Sequence, residues 1–154
     1  MKKSLLALVI AAFTLGFFTV GAEAKSHRWM IPRQPPAVMA RIDIGAQSMA
    51  VTVEGEDYAY WPVSTARAGY HTPRGSYGAI RLARVYYSKK YDNSPMPNSV
   101  FFYGGYAIHG TYHISGLGHP ASHGCVRLAP GNAAQLYSLV QQYGMARTRI
   151  EIAD

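Results

Sequence analysis

The chain has 154 residues, a formal net charge of +7 at pH 7 and a hydrophobic fraction of 49%. This length is enough for one modest domain with its own core. A single cysteine excludes an internal disulfide. The basic balance suits an anionic polymer or a membrane surface. The arginines are scattered, without the basic, aromatic-interleaved run of nucleic-acid-binding proteins, so we expect no nucleic-acid partner.

Residues 1–24 have the pattern of an export signal. Two lysines follow the initial Met, residues 5–20 are apolar and uncharged, and Ala22-Glu23-Ala24 fits the small-x-small rule for cleavage. The apolar run is shorter than the roughly 20 residues that a spanning helix needs, so cleavage is favoured over an uncleaved anchor. We therefore expect a signal peptide over 1–24 and a mature protein, starting at Lys25, in the periplasm or cell envelope.

Residues 25–37 are polar, basic and rich in proline, which predicts a flexible arm in front of a single domain over 38–154. Alternating or β-branched stretches predict strands along most of that domain. The predicted strands are 38–44, a hairpin of 49–53 and 57–63 around the turn 54–56, one or two strands in 77–87, and one strand over 99–108 that leads to His109. Residues 72–75 (Thr-Pro-Arg-Gly) predict a turn and 89–98 a polar loop.

One helix is predicted, near the C-terminus. Pro130 suits a first helical position, apolar residues recur at helical spacing over 136–143, and Gly144 is a good stop. Residues 148–152 alternate and predict a last strand. The core is expected to take side chains such as Ile80, Leu82 and Val85. These elements predict a mainly β domain.

The chemistry is concentrated in residues 107–128, which hold the only cysteine and four of the six histidines. A lone thiol among imidazoles and glycine turns indicates a nucleophile, because imidazole accepts a thiol proton near neutral pH. Glycines permit tight turns that aim backbone N–H groups at one point. An exported protein exposes an unpaired thiol to oxidation, which favours a functional Cys125 over an inert, buried one.

Two motifs carry a resemblance to a known family. His109-Gly110-Thr111, followed by Ser122-His123-Gly124-Cys125-Val126-Arg127-Leu128, resembles the signature of the L,D-transpeptidase (YkuD-type) catalytic domain. Ser64-Thr65 and the 72–75 turn resemble a second stretch of that family, with Ala66 where the family often has glycine. The resemblance covers residues 38–152 and implies a mainly β, barrel- or sandwich-like domain with one helix near the C-terminus. It implies no cofactor and no metal.

The resemblance also implies roles in catalysis. Cys125 is expected to attack a peptide carbonyl and hold the acyl group as a thioester, and His109 to take the thiol proton and later activate an incoming amine. The carbonyl of Gly110 is expected to orient His109. The backbone N–H groups of His123, Gly124 and Cys125 are the expected oxyanion donors. The His123 side chain has either a packing or a catalytic role.

Four residues are predicted to bind substrate: Gly110, Thr111, Ser122 and Arg127. Arg127 has two interpretations, a bidentate contact with a substrate carboxylate or a salt bridge within the scaffold. The Ser122 hydroxyl is expected mainly to stabilise its own turn by a bond to the backbone.

By this resemblance the protein is similar to exported cysteine L,D-transpeptidases, transferases that remodel or crosslink peptidoglycan stem peptides in cell-wall biogenesis and cell shape. The donor would be a tetrapeptide stem, and the acceptor an amine of a second stem or of an envelope protein. Water as acceptor would make the protein a carboxypeptidase or amidase. Carbapenem-type β-lactams would be inhibitors.

Two other functions are compatible with parts of the sequence. In the first, His109, His113, His123 and Cys125 hold zinc, which requires a helix at 109–113 and would suppress the thiol as a nucleophile. The glycines and the preceding strand argue against that helix. In the second, a non-catalytic wall-binding module accounts for export and charge, but it gives no reason for His109 and Cys125.

Overall fold

The computed structural model of the protein describes residues 34–154. The predicted signal peptide and residues 25–33 of the predicted arm lie outside the described residues. Ala37, the last residue of that arm, is fixed to the domain: it is 1% exposed, and its N–H donates to the Arg147 carbonyl over 2.8 Å. Within residues 34–154 no helix is both long enough and apolar enough to cross a bilayer.

Short strands are the main secondary structure of the described chain, with one α-helix near its end. The elements are β1 (Val38–Asp43), β2 (Ser48–Val53), β3 (Glu56–Pro62), β4 (Gly75–Gly78), β5 (Arg81–Ala83), β6 (Tyr87–Ser88), β7 (Ser94–Pro95), β8 (Ser99–Tyr103), β9 (Tyr106–Gly110), β10 (Val126–Leu128), α1 (Pro130–Tyr143) and β11 (Thr148–Ala153). The predicted mainly β fold with one late helix is confirmed. The helix follows its predicted signals, with a proline in its first turn and Gly144 (φ 89°) at its end.

Two sheets enclose the core. The first has five strands in the order β3-β2-β1-β11-β4, with β1 and β11 parallel and the others antiparallel. The second has four strands in the order β10-β9-β8-β5, with β9 and β10 parallel. Parallel neighbours need a long connection. The connection between β9 and β10 is residues 111–125, which include the turn before Cys125.

Successive side chains of β9 and β10 alternate between the main core and the opposite face of the second sheet. Side chains point to opposite faces at successive positions of a strand. Ile108, Val126 and Leu128 are at most 1% exposed and belong to the main core, together with residues of the first sheet and α1. Ala107 and Cys125 instead pack with Met96 and Phe101 in a second, small cluster. The opposite face of the second sheet therefore holds Cys125, the predicted nucleophile.

Three local predictions are wrong. Residues 99–108 form two strands rather than one, because Gly104 (φ 48°) and Gly105 make a turn between β8 and β9. The predicted loop 89–98 contains β7, which pairs with β6. Of the residues predicted for the core, Ile80 and Val85 are 56% and 70% exposed, and only Leu82 packs against it, because β5 is a three-residue strand at the edge of its sheet.

Candidate active site

A cleft of about 390 Å³ lies over the outer face of β9 and β10. Cys125, His109 and Arg127 line it, and the segment that contains β6 and β7 forms one of its walls. The lining residues include Arg127, Lys89 and Lys90 but no aspartate or glutamate. The cleft is therefore a cationic environment around the only thiol.

Strand register brings the thiol and the imidazole to one face. Arg127 is the partner of His109 across the parallel β9–β10 pair. Cys125 lies two residues before Arg127, immediately before β10, so its side chain shares the face of Arg127 and His109. The residues that the resemblance predicted for the chemistry meet here although a connection of 15 residues, 111–125, separates their strands.

His109 is buried and held in one tautomer. It is 6% exposed, and its ring Nδ1 lies 2.8 Å from the Gly110 carbonyl oxygen. A carbonyl only accepts, so Nδ1 carries the proton and Nε2 has a free lone pair. The pKa of His109 is lowered to about 4, mainly by burial. The hydrogen bond to the Gly110 carbonyl raises the pKa in part, and the positive charge of Arg127 lowers it further. The imidazole is therefore neutral at pH 7 and can accept a proton.

Gly110 is itself held in place by close contacts. Its N–H donates to the Pro97 carbonyl over 2.8 Å. A Cβ at this position would lie 3.1 Å from Pro97 Cγ and 3.4 Å from the Ala133 Cβ. The contact between the Gly110 carbonyl and His109 that the resemblance implies is present, whereas Gly110 is not among the residues that line the cleft.

The thiol is partly exposed and protonated at rest. Burial raises the pKa of Cys125, and a backbone hydrogen bond from Ala107 and the charge of Arg127 offset this in part. Its Sγ lies 4.0 Å from the Gly105 carbonyl oxygen. With a raised pKa on the thiol and a lowered pKa on His109, the resting pair is thiol and neutral imidazole. A nucleophilic attack by this thiol would therefore require proton transfer to the imidazole during the attack.

The turn before Cys125 is fixed by Ser122 and requires a glycine. The Ser122 hydroxyl donates to the Cys125 carbonyl (2.6 Å) and accepts from the Gly124 N–H (2.9 Å). Gly124 has φ 128°, and a Cβ there would lie 2.5 Å from Tyr106 Cε1 and 2.9 Å from the His71 carbonyl oxygen. Because the Gly124 N–H is bonded to Ser122, its predicted contribution to an oxyanion hole is not available in this arrangement. The expected stabilising role of the Ser122 hydroxyl is present.

His123 packs into an aromatic cluster at the cleft. Its ring stacks on Tyr91 (centroids 4.3 Å apart) and meets Tyr70 edge-on (4.7 Å). Its Nε2 lies 2.7 Å from Arg67 Nη2 and must accept, because a guanidinium only donates. Partial burial, followed by the positive charge of Arg67, lowers the pKa of His123. Of the two roles predicted for this side chain, the contacts favour packing.

Arg127 has no carboxylate partner in the described chain. It is half-buried, burial lowers its pKa, and Nη1 donates to the Ala121 carbonyl over 3.3 Å. The salt bridges within residues 34–154 are all elsewhere: Arg41–Glu151, Arg74–Asp154 and Arg147–Glu54. The scaffold salt bridge predicted as one alternative for Arg127 is therefore not formed there, and the guanidinium is free to bind an anion.

Two remaining site predictions concern Thr111 and zinc. Thr111 lines the cleft, although it is 5% exposed and its hydroxyl accepts from the His113 N–H. The zinc alternative required a helix at 109–113, but His109 lies in strand β9. No group of three potential metal-ligating side chains converges anywhere in the part of the chain that the structure describes.

The family follows from comparison with known proteins. A family model for the L,D-transpeptidase catalytic domain matches residues 37–152. The chain belongs to the L,D-transpeptidase catalytic domain family. This confirms the resemblance on which the site prediction was based. No curated protein matches the sequence.

Solved L,D-transpeptidases have the same fold. The enzyme from Stackebrandtia nassauensis is 25% identical (TM-score 0.68), with 84% of this chain and 62% of that one covered. LdtMt1 in complex with imipenem is 23% identical (TM-score 0.67), with 77% of this chain and 59% of that one covered. L,D-transpeptidase 3 from Mycobacterium tuberculosis, in complex with a faropenem-derived adduct, is 20% identical (TM-score 0.67), with 77% of this chain and 61% of that one covered. The chain thus spans about three fifths of the length of these transpeptidases.

The L,D-transpeptidase fold of this chain also contains contacts that sequence reasoning missed. Thr72, predicted only as part of a turn, is 3% exposed and bonded to Gly124. Tyr106, which lies in the strand predicted to lead to His109, is the side chain that leaves no room for a Cβ at Gly124. Neither contact leaves a local periodic signal, because the partners are far apart in sequence. The family-like stretch at 72–75 was the available hint.

Proposed function

We propose that this domain is an L,D-transpeptidase of peptidoglycan stem peptides with Cys125 as its nucleophile. The observation that carries the proposal is the pairing of β9 with β10, which puts a buried, neutral imidazole with a free Nε2 on the same cleft-facing side as the only thiol. Family membership supports the reaction class. Thiol and base within one cleft, with the base oriented by a third group, are what covalent acyl transfer requires.

In the first half-reaction, Nε2 of His109 takes the Cys125 S–H proton as Sγ attacks the carbonyl carbon of the donor peptide bond. A C–S bond forms, and the carbonyl electron pair moves onto oxygen. The Cys125 N–H donates to that oxyanion. Collapse breaks the C–N bond, and the imidazolium returns its proton to the leaving amine of the terminal D-residue. A thioester on Cys125 and a neutral His109 remain.

In the second half-reaction, the amine of an acceptor attacks the thioester carbonyl, and His109 takes one of its protons. The new C–N bond forms, the C–S bond breaks, and the imidazolium protonates the departing thiolate. Thiol and neutral imidazole are restored, and one peptide bond has been exchanged for another. Water in place of the amine would yield hydrolysis, the carboxypeptidase alternative.

Arg127 supplies the recognition of the donor in this proposal. A half-buried guanidinium without a carboxylate partner among residues 34–154 favours an anionic ligand beside the thiol. Stem peptides end in a carboxylate, and the cleft contributes two further cations, Lys89 and Lys90. Arg127 would bind the donor carboxylate while Thr111 forms part of the cleft wall.

The cellular setting belongs to the same proposal. The export pattern of residues 1–24 and the net charge of +7 support an envelope location against an anionic polymer. The acceptor would be an amine of a second stem or of an envelope protein. Because related structures contain imipenem and a faropenem-derived adduct, we expect carbapenem-type β-lactams to acylate Cys125.

The test is turnover of a defined tetrapeptide stem by the purified protein, followed by mass spectrometry. The expected products are a crosslinked dimer and one released terminal D-amino acid per crosslink. Release of the terminal residue without a dimer would replace transpeptidation by hydrolysis. If the folded protein yields neither product, the proposal is overturned.

A further inference from the structure

Thr72 is a buried polar residue in an otherwise exposed stretch between β3 and β4. Residues 67–71 and 74–76 are exposed, whereas Thr72 itself is 3% exposed. A polar side chain loses its hydration when it is buried, so it needs hydrogen-bond partners inside the protein. The partners of Thr72 show what its burial achieves.

The Thr72 hydroxyl joins two segments of the site. It donates to the Gly124 carbonyl over 2.9 Å and accepts from the Ala66 N–H over 3.0 Å. Ala66 belongs to the segment that runs beside the turn before the thiol, where it forms an isolated β-bridge with Ser122. The hydroxyl therefore ties Gly124 to an independently anchored part of the backbone.

The direction of the Gly124 carbonyl determines the direction of the next N–H. A trans peptide unit is planar, so the Gly124 C=O and the Cys125 N–H point in opposite directions. Among residues 34–154 the Cys125 N–H has no hydrogen-bond acceptor, in contrast to the Gly124 N–H, which is bonded to Ser122. The Cys125 N–H is thus an available donor whose orientation depends on what holds the Gly124 carbonyl.

Glycine makes this dependence strong. Only glycine fits at position 124, because of its φ of 128° and the close approach of Tyr106 and His71. Glycine is also the residue whose backbone rotates most freely. A turn that must contain glycine next to the nucleophile therefore needs a contact from outside the turn to fix the peptide plane.

We propose that Thr72 is a positioning residue that fixes the Gly124–Cys125 peptide unit and so aims the Cys125 N–H at the oxyanion formed during acylation. The proposal rests on the proposed function, since it assumes attack by Cys125 on a carbonyl. Thr72 touches neither substrate nor thiol in this role. Its effect is confined to reactions that develop negative charge on a carbonyl oxygen.

Two reagents for the same thiol separate this role from a general structural one. Imipenem is attacked at a carbonyl and needs oxyanion stabilisation, whereas iodoacetamide is attacked at a saturated carbon and does not. Thr72→Val keeps the side-chain shape but removes the hydroxyl. We expect imipenem acylation of the variant to slow by at least about tenfold, below the cost of deleting an oxyanion donor. Alkylation by iodoacetamide should stay within about twofold, since thiol access and pKa are unchanged.

Two further variants complete the design. Thr72→Ser retains the hydroxyl and should restore most of the acylation rate. Thr148→Val is the matched control: Thr148 is 4% exposed, and its hydroxyl donates to another glycine carbonyl, that of Gly144, over 3.0 Å. It should destabilise the fold as Thr72→Val does without changing acylation by the folded protein. If Thr72→Val does not fold, Thr72→Ala makes the same comparison without the extra methyl groups.

Each outcome has one meaning. Slower acylation with unchanged alkylation, rescued by serine, supports the role of Thr72. Acylation at the wild-type rate in a folded Thr72→Val protein, or an equal loss of both reactions, overturns it. If the wild type is itself acylated neither by imipenem nor by a donor stem, the proposed function fails instead.

Discussion

The two faces of the β9–β10 pair differ in burial and in chemistry. Towards the core, Ile108, Val126 and Leu128 are at most 1% exposed and wholly apolar. Towards the cleft, His109 is 6% exposed, and Cys125 and Arg127 are partly exposed. One face is stabilised by removal of apolar surface from water. The other holds groups whose charged forms are disfavoured there, as the lowered pKa of His109 and the raised pKa of Cys125 indicate. The same strands thus combine a stabilising face with a reactive one.

The largest expected effect is the loss of all turnover in Cys125→Ala. No other thiol exists in the chain, so crosslinking and β-lactam acylation should be abolished, while the free energy of unfolding changes by about 1 kcal/mol or less. Transpeptidation assays and urea unfolding measure the two quantities. A much lower free energy of unfolding in Cys125→Ala would mean that the cleft face also stabilises the fold.

The matched variant on the opposite face is Leu128→Ala. Truncating a buried leucine should cost roughly 2–5 kcal/mol of stability. The kcat/KM of the molecules that remain folded should be nearly unchanged, because Leu128 points away from the cleft. A loss of kcat/KM at full folding would show that the two faces are not separable.

The next effect in size concerns the base. His109→Ala should lower kcat/KM by roughly 10²–10⁴-fold, the usual cost of losing a general base. The double variant with Cys125→Ala should be no worse than Cys125→Ala alone, since the pair acts as one unit. If the double variant lost activity by the product of the two single losses, the result would contradict a joint role of His109 and Cys125.

A smaller effect is expected for Arg127→Lys. Lysine keeps the charge but cannot form the two-pronged contact with a carboxylate. KM for the donor stem should rise by about tenfold, the loss of one charge-assisted hydrogen bond. The melting temperature should hardly change, since Arg127 has no salt bridge within residues 34–154. An unchanged KM with a lower melting temperature would assign Arg127 to the scaffold.

The last expected effect is on stability alone and is a pH dependence. The pKa of His109 is about 4 in the folded state, against about 6.5 in an unfolded chain. Below pH 6.5 the unfolded state takes up a proton that the folded state refuses, so stability falls with falling pH until about pH 4. The loss is roughly 3 kcal/mol at most. His109→Gln should reduce it. An equal acid loss in wild type and variant would place the effect elsewhere.

Sequence patterns predicted what depends on neighbouring residues. Alternation and the Pro130 and Gly144 signals gave most strands and the helix, and the His109 and Cys125 motifs gave the family. The errors involve backbone conformations and hydrogen bonds that residue types and periodicity do not specify. The pattern predicts one continuous strand where glycines make a turn between β8 and β9. The resemblance predicts an oxyanion role for the Gly124 N–H, which instead donates to the Ser122 hydroxyl. The contact between Thr72 and Gly124 forms only when the chain has folded.

The most direct measurement of the central claim is peptide mapping of the protein trapped with a tetrapeptide donor in the absence of acceptor. The account predicts an acyl adduct on the peptide that contains Cys125, with a mass increase equal to the mass of the donor minus that of the released terminal amino acid. The adduct should be absent from Cys125→Ala and should disappear when an acceptor amine is added. An adduct on any other residue, or crosslinking by Cys125→Ala at the wild-type rate, would contradict the account.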